Sequence, residues 1–409
     1  MKRCMSSVWL LCVICLHSAI VRIPVVADEA NSGRQAALVP NAAGIYWLAF
    51  AAMPVLEDGE REAVEAASKN LQQPISDEVK RVVGRYELPL HELQRARAVG
   101  PCDWQLDAGA GPGLLMTHVQ KARDLSRVAL LRSRLRFAGG EVSGALADLL
   151  AVFKLGRDCA VSPWIIAALV DASIEERAGE VLALHLPELS QSQVEEVLGE
   201  LRRLPTGWSP SEILQAECEN FAGWAERRVT AETARLGAGA TGEALLRAIA
   251  ADYDESLVAE GDSAELKSER GAMLKSLTVA DVQGALIQMR RDQQELVRLA
   301  KLSVAERTQP LRQLSARLES AKLLRTKADV TLYFSQKLLP SATEKVVSRL
   351  EQIQVQRQLL LEALRVQRYG EAAVQPIAGV QVEYRKTAGG FELSCPHAGG
   401  RESIVVGRK

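Results

Sequence analysis

The sequence predicts a mainly α protein, an irregular antiparallel array of helices and α-α hairpins that ends in a small C-terminal antiparallel β meander. Three observations carry this. Between residues 114 and 185, apolar side chains recur at steps of three and four through three successive segments. Hydrophobic residues make up 47% of the chain and aromatic ones only 4%, so the core must be built from Leu, Ala, Val and Ile, which suits helices. After Gly370 the texture changes to short runs with β-branched and aromatic residues, separated by glycines.

In chain order, NAAGIYWLAFAAMP opens the fold. Asn41 can cap a helix, and Ile45, Leu48 and Ala52 share one face. Amphipathic patterns predict helices over 60–70 and 77–99, the second capped by Ser76. GPCDWQLDAGAGPG, residues 100–113, reads as a loop bounded by prolines. Next, Leu125, Val128, Leu131, Leu135 and Ala138 line one helix face, while Arg123, Arg127, Arg132, Arg134 and Arg136 fill other positions. Gly139 and Gly140 end that helix. Val142, Leu146, Leu149, Leu150, Phe153 and Leu155 form a second stripe, closed by Gly156. A third helix begins in VSPWIIAALV, apolar on all sides and so buried, and runs on through Ile174, Ala178 and Val181. Short connections make these three antiparallel neighbours.

Ser190 caps the following helix. The clearest start in the chain is Ser209-Pro210-Ser211-Glu212: the first serine caps, proline takes the first helical position, and the glutamate closes a capping box. GAGATG at 237–242 breaks the pattern. Helices are expected over 241–258 and about 278–306, the latter begun by Thr278 and Asp281, and Pro310 and Pro340 are each expected to open another. Val346, Leu350, Ile353 and Leu360 mark the last helix. VQVEYRK, FELSC and SIVVG are the strands of the meander. The expected organisation is 1–27, 28–205, 206–339 and 340–409.

Two stretches resemble known families. FAGGEVSGALADLLAVFKLG, residues 137–156, is similar to half of a tetratricopeptide unit, but no 34-residue period follows it. The run from Cys102 to Leu189, with its Trp-containing loop, Gly-Pro turn, Arg-rich helix and Pro-started helix, resembles a family of uncharacterised secreted helical proteins of bacteria. That resemblance spans about residues 40–205. It implies a fold and an address and carries no activity. The tail, a helix ending in Arg368-Tyr369-Gly370 followed by strands, resembles the C-terminal module of type II secretion pseudopilins. It departs from them in lacking the Asp-Pro-Phe turn, with only Pro376 nearby, and in lacking the long prepilin membrane helix.

The N-terminus MKRCMSSVWLLCVICLHSAIVRIPVVA reads as an export signal. Lys2 and Arg3 precede a short apolar run, and Val25-Val26-Ala27 supplies small residues for cleavage before Asp28. An uncleaved anchor is the alternative. Lipidation is disfavoured, because Cys15 follows Ile14. Without Lys2, Arg3 and Arg22 the chain holds 47 basic against 51 acidic side chains, which argues against a nucleic-acid partner. Seven cysteines fall to four: Cys102, Cys159, Cys218 and Cys395. Four allow three pairings, and the wide spacing favours isolated buried thiols with at most one bridge.

Candidate chemistry is sparse. GAGATG matches G-x-G-x-x-G by letter, but a charged helix rather than a buried strand precedes it, so it reads as a turn and no cofactor is expected. Gly109, Gly111 and Gly113 precede a helix whose free amides could hold an anion, yet no Lys or Ser/Thr is arranged as in a phosphate loop. His91, His118, His185 and His397 form no metal pattern, Cys395-Pro396-His397 is too small for zinc, and Asp252-Tyr253-Asp254-Glu255 lacks the rest of a calcium loop. Glu217 shares a face with Ile213, Phe221 and Trp224. It is a carboxylate on an apolar stripe, expected to meet Arg132 or Arg136. Asp171 and Glu175, four apart, are expected to contact the arginine-rich helix. No catalytic, cofactor or metal residue is assigned. The expectation is a non-catalytic exported protein of the periplasm, envelope or medium that binds a protein partner. The alternatives are a secreted cell-wall glycan hydrolase with Glu217 as general acid, and an accessory part of a secretion or pilus-like assembly.

Overall fold

A computed structural model of the protein describes residues 40–252, 263–319, 326–338, 343–397 and 400–407. Among these, fifteen α-helices precede one three-stranded antiparallel sheet, the mainly α fold with a β meander that the patterning predicts. α1 (Ala42–Ala51) starts where Asn41 accepts the Ala43 N–H, and buries Tyr46 and Phe50. α2 (Asp58–Lys69) follows. The single helix expected over 77–99 is two, α3 (Asp77–Arg85), capped by Ser76, and α4 (Glu87–Ala98), parted at Tyr86. Pro89 explains the break. With no N–H, it fits only in the first turn, where no intrahelical donor is required, so the helix restarts just before it.

α5 (Thr117–Ala138), α6 (Val142–Cys159) and α7 (Ile165–His185) are the three central helices, and α8 (Gln191–Arg203) is closed by a Ser190–Gln193 capping box. α9 (Pro210–Leu236) carries the Ser209–Glu212 box. GAGATG is a helix-to-helix turn: Gly237 takes φ 54°, and Thr241 caps α10 (Gly242–Ala251). Gly242 lies so close to the start of the twelfth helix that a Cβ would sit 2.5 Å from the Thr278 carbonyl oxygen. α11 (Ala264–Lys275) was not expected. α12 (Val279–Ala300) stops short of 306, because Ser303 and Glu306 open α13 (Val304–Glu319) with their own side-chain bonds. Pro310 therefore lies inside α13 rather than at its start. α14 (Lys327–Leu338) and α15 (Thr343–Tyr369) complete the helices, and Pro340 lies outside the described residues.

Three apolar cores form among the described residues. The largest joins α1–α8 to the second half of α15 and the sheet. The second is built from α9, α10, α11, α12 and α14. The third gathers the start of α7, the start of α9, the end of α12, α13 and the first half of α15. Four long helices thus belong to two cores each. α9, for example, sends Ile213, Leu214 and Cys218 into the third core and Ala222, Ala225 and Val229 into the second. Residues from the expected 28–205 and 340–409 regions share one core, and no described helix is long and apolar enough to cross a membrane.

The sheet has the order β1 (Glu383–Thr387), β2 (Gly390–His397), β3 (Gly400–Val406). β1 and β2 pair from Thr387↔Gly390 to Glu383↔Ser394, and β2 then continues beside β3 alone. Pro396, with no N–H to donate, sits on that unaccompanied stretch. Gly390 admits the backbone of Val406, whose oxygen would lie 2.2 Å from a Cβ. The Gly407 N–H donates to Ala183, tying the sheet to α7.

Candidate functional site

Glu217 is the first residue to place. Its Oε2 accepts the N–H of Ile165, the first residue of α7, at 2.9 Å. An N-terminal amide is an orphan donor and favours negative charge nearby, so this carboxyl caps α7 from another helix. Burial pushes the Glu217 carboxyl up to about 7, with the Ile165 N–H pulling the other way. The expected partners are elsewhere. Arg132 donates twice to Asp148, at 2.9 and 2.5 Å, and Arg136 donates to the same carboxylate at 2.8 Å. The α5–α6 hairpin brings those groups together within sixteen residues, so the local partner wins.

Glu217→Gln keeps an acceptor for Ile165 and removes a buried charge. The folded value lies above the unfolded value of about 4.3, so wild-type stability is present at low pH and is lost as pH rises through 7. Between about pH 4 and 7 the wild type is expected to lose about 3 kcal/mol relative to the variant. Urea unfolding at a series of pH values reads this. A constant difference across the series would show a carboxyl that ionises at its ordinary value.

Asp171 and Glu175 are almost fully buried on α7, and the arginines that meet them are Arg157 of α6 and Arg357 of α15, not those of α5. Arg357 donates through Nη2 to Asp171 and through Nε to Glu175, and Arg157 Nε donates to the other Glu175 oxygen. Arg157 Nη1 also reaches the Pro205 carbonyl at 2.7 Å. Burial, reinforced by the neighbouring Glu175 carboxylate, pushes Asp171 up to about 7 against the pull of Arg357 and Arg157. Burial alone would lower Arg357, but the two carboxylates outweigh it and raise it above its ordinary value. Asp171 Oδ1 faces Gly156, where a Cβ would stand 2.8 Å away, so only glycine permits this approach of α6 to α7.

The remaining candidates are structural in their surroundings. Asp107 accepts the Gly109 N–H at 2.7 Å, so the protein's own carboxylate already meets the glycine turn considered for an anion. His118 stacks on Trp104 at 4.4 Å and is pushed down to about 4 by burial. Asp252 pairs with Arg228. No cluster of three metal-ligating side chains occurs among the described residues, and the four cysteines are buried and form no disulfide.

A concavity among the described residues is lined in part by Arg157 and Arg357. It is a cleft of about 830 Å³. Its floor is α15, through Gln354, Val355, Gln358 and Leu361. One wall is the end of α8 and the following loop, from Leu201 and Arg202 to Thr206. The other is the Ile377–Val380 turn with Cys395 and Pro396 of β2, the part of that strand β1 leaves unaccompanied. Among the described residues Gln354, Gln358 and Arg202 make no hydrogen bond or ion pair, whereas nearly every other charged side chain of the network behind them is engaged. Glu351, at the rim, is held by Arg307. Glu217 does not line this cleft. Sequence reasoning missed the site because its lining comes from six separated segments; a local signal was a pair of glutamines four apart on the last helix.

Fold and cleft together define a helical protein with a groove of ligand size. A scan of protein-family models, a search of curated proteins and a search of solved structures each found no match to the chain.

Proposed function

We propose that this is an exported, non-catalytic helical protein that binds an extended segment of a partner protein in the cleft over α15. Residues 1–27 support export by their basic start, apolar run and small residues. The observation that carries the binding reading is the cleft itself. It sets Gln354, Gln358 and Arg202, none of them used internally, among apolar walls from Leu204, Val355 and Ile377. A few uncommitted polar groups in an apolar concavity are what orient a ligand. The hydrolase alternative rests on Glu217, which caps α7 away from the cleft. The secretion-assembly alternative draws support from the packing of α15 on the meander, although α7 and α8 share that contact.

The test is selection, against the purified protein, of random decapeptides displayed on phage as carboxyl-terminal extensions of a coat protein, so that their own carboxyl ends are free. Enriched peptides are expected to bind the wild type and to lose binding to Gln358→Trp, which fills the cleft from an exposed helical position. No enrichment, or peptides that bind the variant equally, would overturn the proposal.

A further inference from the structure

We infer that the cleft takes the carboxyl-terminal end of an extended peptide, with the Arg202 guanidinium and Nη1 of Arg357 holding the terminal carboxylate. This rests on the binding reading above and adds which end of the partner enters. The first support is spacing. Gln354 and Gln358 lie one helical turn apart, which sets their side chains about 5–6 Å from each other. In an extended peptide, amide groups facing the same side recur every two residues, about 6.6–6.8 Å. Two glutamine amides so placed can each donate to and accept from alternate peptide groups. An acyl chain would leave both of them unpaired in the groove, at a desolvation cost.

The second support is charge. Arg157, Arg202 and Arg357 line the cleft, against the single carboxylate of Glu351, which Arg307 already engages. Asp171 and Glu175 stand behind Arg157 and Arg357, so Arg202 is the cation with no carboxylate of its own. Arg357 commits Nε and Nη2 to those carboxylates and leaves Nη1 unbonded. An N-terminal amine would meet repulsion here, and a terminal carboxylate meets guanidinium forks suited to it. Leu201, Leu204 and Ile377 then offer the walls for apolar side chains.

Two pools of N-acetylated tetrapeptides built from Ala, Val, Leu, Ile and Thr test this, one with free carboxyl ends and one with terminal amides. Each is mixed with the full-length protein, separated by size exclusion, and the retained peptides are read by mass spectrometry. Retained acids are expected to bind about ten-fold more tightly than their amides, and Arg202→Gln is expected to remove that preference. Equal retention of acids and amides would overturn carboxylate capture and leave peptide binding standing. Retention of neither pool would overturn both, and so would binding of dodecanoate with no peptide retained.

Discussion

Arg357→Leu is expected to destabilise the protein by about 3–5 kcal/mol at pH 8. The guanidinium joins α15 to Asp171 and Glu175 on α7, across 186 and 182 residues of sequence. Removing it strands two carboxylates that are 3% and 6% exposed, with Arg157 left to face both. An uncompensated buried charge is far more costly than the absence of the whole pair. The loss should shrink with acid. Asp171, already pushed up to about 7 beside Arg357, rises further without it, so the folded variant takes up protons that the unfolded chain does not hold. Stability of the variant should therefore climb as pH falls from about 8 to 5. Urea unfolding across that range reads both effects. A loss below about 1 kcal/mol, or one as large at pH 5 as at pH 8, would show that the network does not carry buried charge.

Trp104→Ala is expected to cost about 3–5 kcal/mol at pH 8. The indole is 7% exposed and stacks on Tyr46, Phe50 and His118, with ring centroids at 5.7, 6.2 and 4.4 Å. Its Nε1 donates to the Asp158 carbonyl at 2.6 Å, while the Asp158 side chain accepts from Tyr46 and Lys154. Truncation opens a cavity between α1, α5 and α6 and removes a buried donor. It also readmits water to His118, so its value, now about 4, should rise toward the ordinary imidazole range. Thermal melting and an NMR titration of His118 report the two consequences separately. A small stability change with an unmoved imidazole would mean that the cluster closes over the gap.

What the sequence disclosed is local. Ser76, Ser190, Ser209 and Thr278 cap the helices their side chains announce, because a cap bonds an amide three residues away. The α3–α4 break and the true start of α13 were equally local. They were hidden by apolar periodicity that runs on through Tyr86 and past Ala300, and Pro89 and the Ser303–Glu306 pair were the signals to weigh against it. The ion pairs were not legible in the same way. Arginines of α5 looked available to Asp171 and Glu217, yet Asp148 lies nearer along the hairpin, and the arginine that meets Asp171 arrives from the last helix. Candidate residues could thus be named, but their roles depended on neighbours chosen by the tertiary fold. The cleft is the extreme case, since no short stretch of chain contains even one of its opposed walls together with its floor.

The ties between α7 and α15 bear on the order in which a newly made chain can mature. Synthesis proceeds from the N-terminus, and domains ordinarily fold as they emerge. Here Asp171 and Glu175 are produced long before residue 357, and Leu359, Leu360, Ala363 and Leu364 of α15 are late-arriving members of the first core. Until they appear, the N-terminal helices hold two acidic groups whose burial is unfavourable and an apolar face with nothing on it. Early closure is therefore discouraged. A polypeptide whose last long helix completes its first core cannot finish that core until residue 364 has been made.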